Sequence, residues 1–436
     1  MPAHKVFHAA WLMAGLFMLA STASARSVDA ASYGYPLTNP FEATIATTPE
    51  PLQPAGLPDD RHIDQDDYAL NLRPEREFTL PENFWAVKKL KYRIARQPQA
   101  APLVFLIAGT GSNYANGTME FLKKVFYRDG YHVVQLSSPT SYDFMAGASR
   151  FATPGFSKED ARDLYNVMKA IRQQQADLPV TDFYLAGYSL GGLDAAFVSK
   201  LDESEQEFNF RRVLMINPPV NLYTSTSNLD RLVRTEVKGV SDTQTFYDLI
   251  FNKLAAYFRA RGHIQIDAAM LYDFQHSPQG LGNEELAMLI GTVFRFAAAD
   301  IVFTSDLVNK RGAIVPPDAS IKEGSSLTPY LRSSLLCNFD CYIQKQLLPF
   351  WRKRFGGTDL TGLIREVSLY SLEDYLHKSD KIAVMTNADD LILDRGDLGF
   401  LRRTFGDRLT VYPHGGHCGN LNYRVNVDDM LEFFRG

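Results

Sequence analysis

Four short stretches of this sequence carry side chains that could work together. In Gly187-Tyr188-Ser189-Leu190-Gly191 a serine stands with a glycine two residues away on either side. A serine hydroxyl is a weak nucleophile at neutral pH and needs a neighbouring base. The candidate base is His417, in His414-Gly415-Gly416-His417-Cys418-Gly419; His414 is its competitor, closer to the preceding strand. An imidazole that accepts a proton needs a carboxylate to orient it and stabilise its charged form. Asp389 and Asp390, in Ala388-Asp389-Asp390-Leu391-Ile392, are the candidates, and adjacent side chains in a loop point differently, so only one can serve. Asp390 is preferred because the apolar Leu391-Ile392-Leu393 follows it, with Asp389 the alternative; Asp394 and Asp397 read as surface charges. Together these groups suit acyl transfer through a covalent intermediate. Its oxyanion calls for amide donors worth about 2.7–4 kcal/mol each. The N–H of Leu190, next after the serine, is one; Thr110, in Gly109-Thr110-Gly111-Ser112, is the choice for the other.

Rival chemistries lack parts. No Gly-Lys-Ser/Thr follows the glycines at 109 and 111, as a phosphate-cradling loop requires, and the third glycine of a dinucleotide fingerprint is missing. His414-x2-His417 and Cys337-x3-Cys341 have no further ligands at metal-site spacing. The expectation is therefore no metal and no organic cofactor. A net charge of −5, from 45 Lys+Arg against 50 Asp+Glu with no basic cluster, argues against nucleic acid as a partner.

The elements around these stretches alternate strand and helix. Residues 89–95 alternate in polarity like a strand, and Leu103 to Ala108 is a continuous apolar run, as in a strand buried on both faces. Helical spacing over 119–128, a strand over 131–136, a helix over 157–174 and a strand over 183–186 follow, ending at Ser189. A helix over 190–201 and a strand over 213–216 continue the order. Ser189 thus sits at a strand-to-helix turn, the Thr110 loop follows a strand, and the acid and the histidine follow the strands at 382–385 and 408–412. A helix over 426–434 closes the chain. This order predicts an α/β fold with a doubly wound, mostly parallel sheet. Between the two halves, helical periodicity over 246–261, 283–299 and 333–355 marks an inserted helical cap. The divisions are a core over 81–221, the cap over 222–378 and a second core part over 379–436. The cap is rich in aromatics, among them Tyr257, Phe258, Phe294, Phe296, Phe303, Tyr330, Phe350 and Trp351, which either line an acyl pocket or form the cap's own core.

Residues 1–25 read as an export signal: Lys5, an apolar run over 6–20, and the small residues Ala23-Ser24-Ala25 at the cleavage site. An apolar run of roughly 15 residues is short for a span that needs about 20. No later segment reads as long and apolar enough to span, so the expectation is a periplasmic or secreted protein, with membrane contact transient and at the surface. Residues 26–80, rich in Pro, Thr, Asp and Glu, suggest an extended arm draped over the body without chemistry of its own. Cys337 and Cys341 either bridge, which would require a turn or frayed helix end, or remain free thiols.

Taken together, Ala108-Gly109-Thr110-Gly111, Gly187-Tyr188-Ser189-Leu190-Gly191-Gly192, Ala388-Asp389-Asp390 and Gly415-Gly416-His417-Cys418-Gly419 resemble the α/β-hydrolase superfamily. The doubled glycine after the serine and the Gly-Gly-His-x-Gly ending are similar to esterases and acylglycerol lipases with helical lids. The resemblance covers roughly residues 100–220 and 380–436, with Ala108 where many relatives have His and an insertion larger than a common lid. It implies a Ser189-Asp390-His417 triad acting on a small-molecule or lipid-like ester. A thioester, amide or peptide would use the same triad, and a binding protein that kept the fold is the non-catalytic alternative.

Overall fold

The computed structural model describes residues 24–72, 80–261 and 268–436; the stretch expected to be an export signal, residues 1–25, lies outside them apart from its last two positions. Among the described residues nine strands form one sheet: β1 (Arg26–Ser27), β2 (Gln65–Leu70), β3 (Leu90–Ala95), β4 (Ala101–Ile107), β5 (His132–Leu136), β6 (Val180–Tyr188), β7 (Arg212–Ile216), β8 (Ile382–Asn387) and β9 (Leu409–Tyr412). Their spatial order is β1-β9-β8-β7-β6-β4-β5-β3-β2. Only β3 runs against its neighbours β2 and β5; every other pairing is parallel.

The unbroken apolar runs of the central strands follow from cover on both faces. On β4, Leu103, Phe105 and Ile107 pack on one side against the helices Ser157–Gln174 and Leu190–Glu205. Val104 and Leu106, pointing the other way, meet the helices Gly117–Arg128 and Arg424–Arg435. The same alternation divides Val213 and Met215 from Leu214 and Ile216 on β7. The sheet is therefore doubly wound and mostly parallel, and its polar loops gather at the strand ends that carry the candidate residues.

Between β7 and β8 every element among the described residues is a helix. Helical periodicity over 283–299 ends short of the helix, which runs Asn283–Asn309 because its second half, including Ile301, Val302, Phe303 and Leu307, is buried. A helix apolar all round shows no stripe to mark its end. This helix also corrects the reading that nothing after residue 25 could span a membrane: it is 27 residues long and contains an 18-residue window of mean hydropathy 1.9, which meets the length and composition of a span. In this fold 61% of its apolar window is buried inside the protein, the position of a core helix.

The stretch 333–355, periodic enough to read as one helix, is broken. The helix Thr328–Leu336 ends at Cys337, and Asn338 caps the next one, its side chain accepting from Cys341 N at 2.9 Å. The disulfide Cys337–Cys341 spans this break, with Cα atoms 5.3 Å apart, so the bridge sits at a helix end and not within a regular turn. The arm, too, is more structured than an extended drape: β1 adds to β9, β2 adds to β3, and the helix Pro40–Ala46 packs against Asn283–Asn309.

Candidate active site

Ser189 stands between β6 and the helix Leu190–Glu205, whose N-cap it is, with φ 54° and ψ −126°. A non-glycine residue at that φ is strained by roughly 1–3 kcal/mol and persists only where its surroundings enforce it. Here strand and helix approach so closely that a Cβ on Gly187 would lie 2.0 Å from the carbonyl oxygen of Gly191. A Cβ on Gly191 would lie 2.3 Å from the carbonyl oxygen of Ile107. The flanking glycines are therefore a steric requirement of the turn, which lifts the serine above the sheet.

The loops after β8 and β9 bring two more side chains to it. His417 Nε2 lies 2.9 Å from Ser189 Oγ, and His417 Nδ1 lies 2.9 Å from Asp390 Oδ1 and 3.2 Å from Oδ2. Because a carboxylate accepts, Nδ1 carries the proton and Nε2 is left to accept from the serine hydroxyl. Asp390 is buried and also accepts from Asn217 Nδ2 at 2.7 Å and from Ile392 N at 3.1 Å. Asn217 directly follows β7 with φ 47°, and its role was not legible in a sequence where it simply precedes two prolines. Burial opposes a charge on His417, but the adjoining Cys418 sulfur and the Asp390 carboxylate outweigh it, holding the imidazole's proton affinity well above its usual value.

The neighbouring candidates fall elsewhere. Asp389 accepts from the amides of Gly416 at 2.9 Å and Gly415 at 3.3 Å, so it holds the histidine loop and not the imidazole. Burial raises its pKa, and those two amides oppose the rise. His414 donates through Nε2 to the carbonyl of Tyr35 at 2.8 Å. Asp397, a surface charge by sequence, is buried and accepts from Asp394 N at 2.8 Å and from the Tyr370 hydroxyl at 3.2 Å.

A cavity of about 280 Å³ opens over Ser189 and His417. Thr110 lines it, on a loop folded so tightly that Gly111 adopts φ 68° and its amide donates to Thr140 Oγ1 at 2.8 Å. Leu190 is the first residue of its helix, where amides lack intrahelical partners. Ile290, Val293, Phe294 and Ala297 of the helix Asn283–Asn309 form the far wall, and its composition is mostly apolar. Of the eight cap aromatics named above, Phe294 alone lines this cavity. Tyr257 and Phe258 pack with Phe274 and Leu281, Phe303 and Tyr330 with Phe84, Phe350 and Trp351 join the main core, and Phe296 is largely exposed. They are mainly core residues of the cap, which decides against the aromatic-lined acyl pocket.

Two residues that sequence reasoning passed over belong to the arm. Thr44 and Ile45 line the same cavity, and Thr44 Oγ1 accepts from His417 N at 2.9 Å. No local signal in a Pro- and Thr-rich segment could have assigned them to a site whose other members lie 64 or more residues away.

Neither a family model nor a curated protein matches the chain. Among solved structures, it is similar to brefeldin A esterase, described as a bacterial homologue of human hormone sensitive lipase, at 12% identity and TM-score 0.42, over 90% of this chain and 78% of that one. A Pyrococcus furiosus esterase matches at 10% identity and TM-score 0.43, over 92% and 98%. A membrane phospholipase A, described as a bacterial virulence factor, matches at 15% identity and TM-score 0.42, over 85% and 86%. With β3 alone reversed, Ser189 in a strained turn after β6, and Asp390 and His417 after β8 and β9, the chain has the α/β-hydrolase fold.

Proposed function

We propose that the protein is an exported serine hydrolase that cleaves carboxylic esters through an acyl-enzyme on Ser189. The observation that carries the proposal is the continuous chain from Ser189 Oγ through both nitrogens of His417 to the carboxylate of Asp390. His417 Nε2 takes the hydroxyl proton as Oγ attacks the ester carbonyl carbon. The amides of Thr110 and Leu190 hold the oxyanion. Collapse breaks the bond to the alcohol, which leaves with the proton from Nε2. Water then gives a proton to Nε2 and attacks the acyl carbon, releasing the carboxylic acid and returning the proton to Ser189. Asp390 keeps Nδ1 protonated and stabilises each imidazolium.

The small, apolar cavity supports an ester with a short or medium acyl chain, since pockets for larger ligands run to about 300–1,000 Å³. The leader over residues 1–25 supports export, as does the Cys337–Cys341 disulfide, a bond that persists in oxidising compartments. A panel of p-nitrophenyl esters of graded chain length, with Ser189→Ala as control, tests the reading. Hydrolysis should peak at short to medium chains and fall by about a thousandfold or more in Ser189→Ala. A panel inactive at every length would overturn the ester assignment.

A further inference from the structure

We propose that the arm segment 33–48 is part of the catalytic apparatus, with Thr44 the positioning residue for His417; this rests on the hydrolase reading above. The histidine loop has an unusual backbone: Gly415, Gly416 and Cys418 all have positive φ, at 150°, 57° and 62°. From the sheet side it is held by Asp389, which accepts from the Gly415 and Gly416 amides, and by Asn387 Nδ2, which donates to Gly416 carbonyl at 2.7 Å. The arm holds it from the other side. Tyr35 carbonyl accepts from His414 Nε2 at 2.8 Å, Thr44 Oγ1 accepts from His417 N at 2.9 Å, and Gly419 carbonyl accepts from the hydroxyls of Tyr35 at 2.8 Å and Thr48 at 3.0 Å.

The contact is too close for side chains on the loop. A Cβ on Gly416 would stand 2.2 Å from the Pro40 carbonyl oxygen, and one on Gly419 2.0 Å from that of Ala43. These glycines thus admit the helix Pro40–Ala46 as those around Ser189 admit the nucleophile turn. Thr44 is central because its hydroxyl also donates to Pro40 carbonyl at 2.6 Å, which aims a lone pair at His417. Fixing the amide of His417 fixes the Cα one bond away, and with it the line of the imidazole between Asp390 and Ser189. Valine has threonine's shape but neither half of this relay.

The test compares Thr44→Val, Thr44→Ala and Thr44→Ser in the full chain, with competent sites counted by fluorophosphonate labelling of Ser189. The Val and Ala variants should lose about 10- to 100-fold in kcat per labelled site, the scale of a slightly misplaced catalytic group, with KM within about threefold. Thr44→Ser, which keeps the relay, should return to within about threefold of wild type. In histidine-labelled Ser189→Ala protein followed by NMR, the His417 titration should move to lower pH when Thr44→Val is added, because the imidazole moves off Asp390; Asp390 and Cys418 are the titratable groups acting on it. Wild-type kcat in both Val and Ala variants, equal losses in Thr44→Ser, or an unmoved His417 titration would overturn the proposal. The titration needs no substrate, so an unlabelled Ser189 would sink the hydrolase reading while the positioning claim is still measured.

Discussion

Asp389 and Asp390 are neighbours in sequence yet serve different parts of one loop: Asp390 accepts from the imidazole of His417, and Asp389 from the amides of Gly415 and Gly416. Asp390→Asn should therefore lower kcat by about 10⁴-fold, because the amide favours the wrong imidazole tautomer. Asp389→Asn keeps an acceptor for the loop amides and should stay within about tenfold of wild type. Steady-state kinetics on both variants check the division; the reverse ranking would exchange the two roles.

The pH profile has a definite sign. His417 must be neutral to take the serine proton, and its proton affinity is held above the usual imidazole value. Activity should be full at alkaline pH and fall through an acidic limb centred above 6.5 as His417 protonates. Removing the carboxylate in Asp390→Asn removes one of the groups that raise it, so the limb of the residual activity should move to lower pH. Rate profiles of kcat/KM for both proteins measure this.

The wall formed by the helix Asn283–Asn309 should set chain length. Phe294→Ala enlarges the cavity and should shift the preferred p-nitrophenyl ester to longer chains. Ala297 stands where a Cβ on Gly111 would lie 3.0 Å from its own Cβ, so Ala297→Leu should press on the Thr110 loop and lower kcat by about tenfold or more.

The glycines of the serine turn make a stability prediction. Gly187→Ala or Gly191→Ala forces a Cβ into backbone carbonyl groups and should destabilise by about 3 kcal/mol or more, read as a lowered urea midpoint or loss of soluble protein. The Cys337–Cys341 bridge closes only a short loop, so its loss should cost about 2 kcal/mol, with Ser189 still labelled.

The sequence was most readable where a local pattern carries the constraint. Continuous apolar runs located the central strands, and Gly-x-Ser-x-Gly at a strand end located the turn, because both are set by residues within a few positions of one another. Contacts between distant segments left no such trace. Thr44 and His417 are 373 residues apart and meet through one side-chain oxygen, which no periodicity encodes. Asn217 is visible only once β7 lies beside the loop that carries Asp390. In the cap, burial on all sides erased the stripe that would have marked the end of Asn283–Asn309. The break at Cys337 was hidden because the residues on either side keep helical spacing.

Every catalytic step proposed above depends on the activation of Ser189 as a nucleophile. Incubating folded protein with a fluorophosphonate and mapping the adduct by mass spectrometry measures it directly. One adduct should form, on the peptide carrying Ser189, abolished in Ser189→Ala and strongly slowed in His417→Ala. Folded wild-type protein that stays unmodified, or an adduct on another residue, would contradict it.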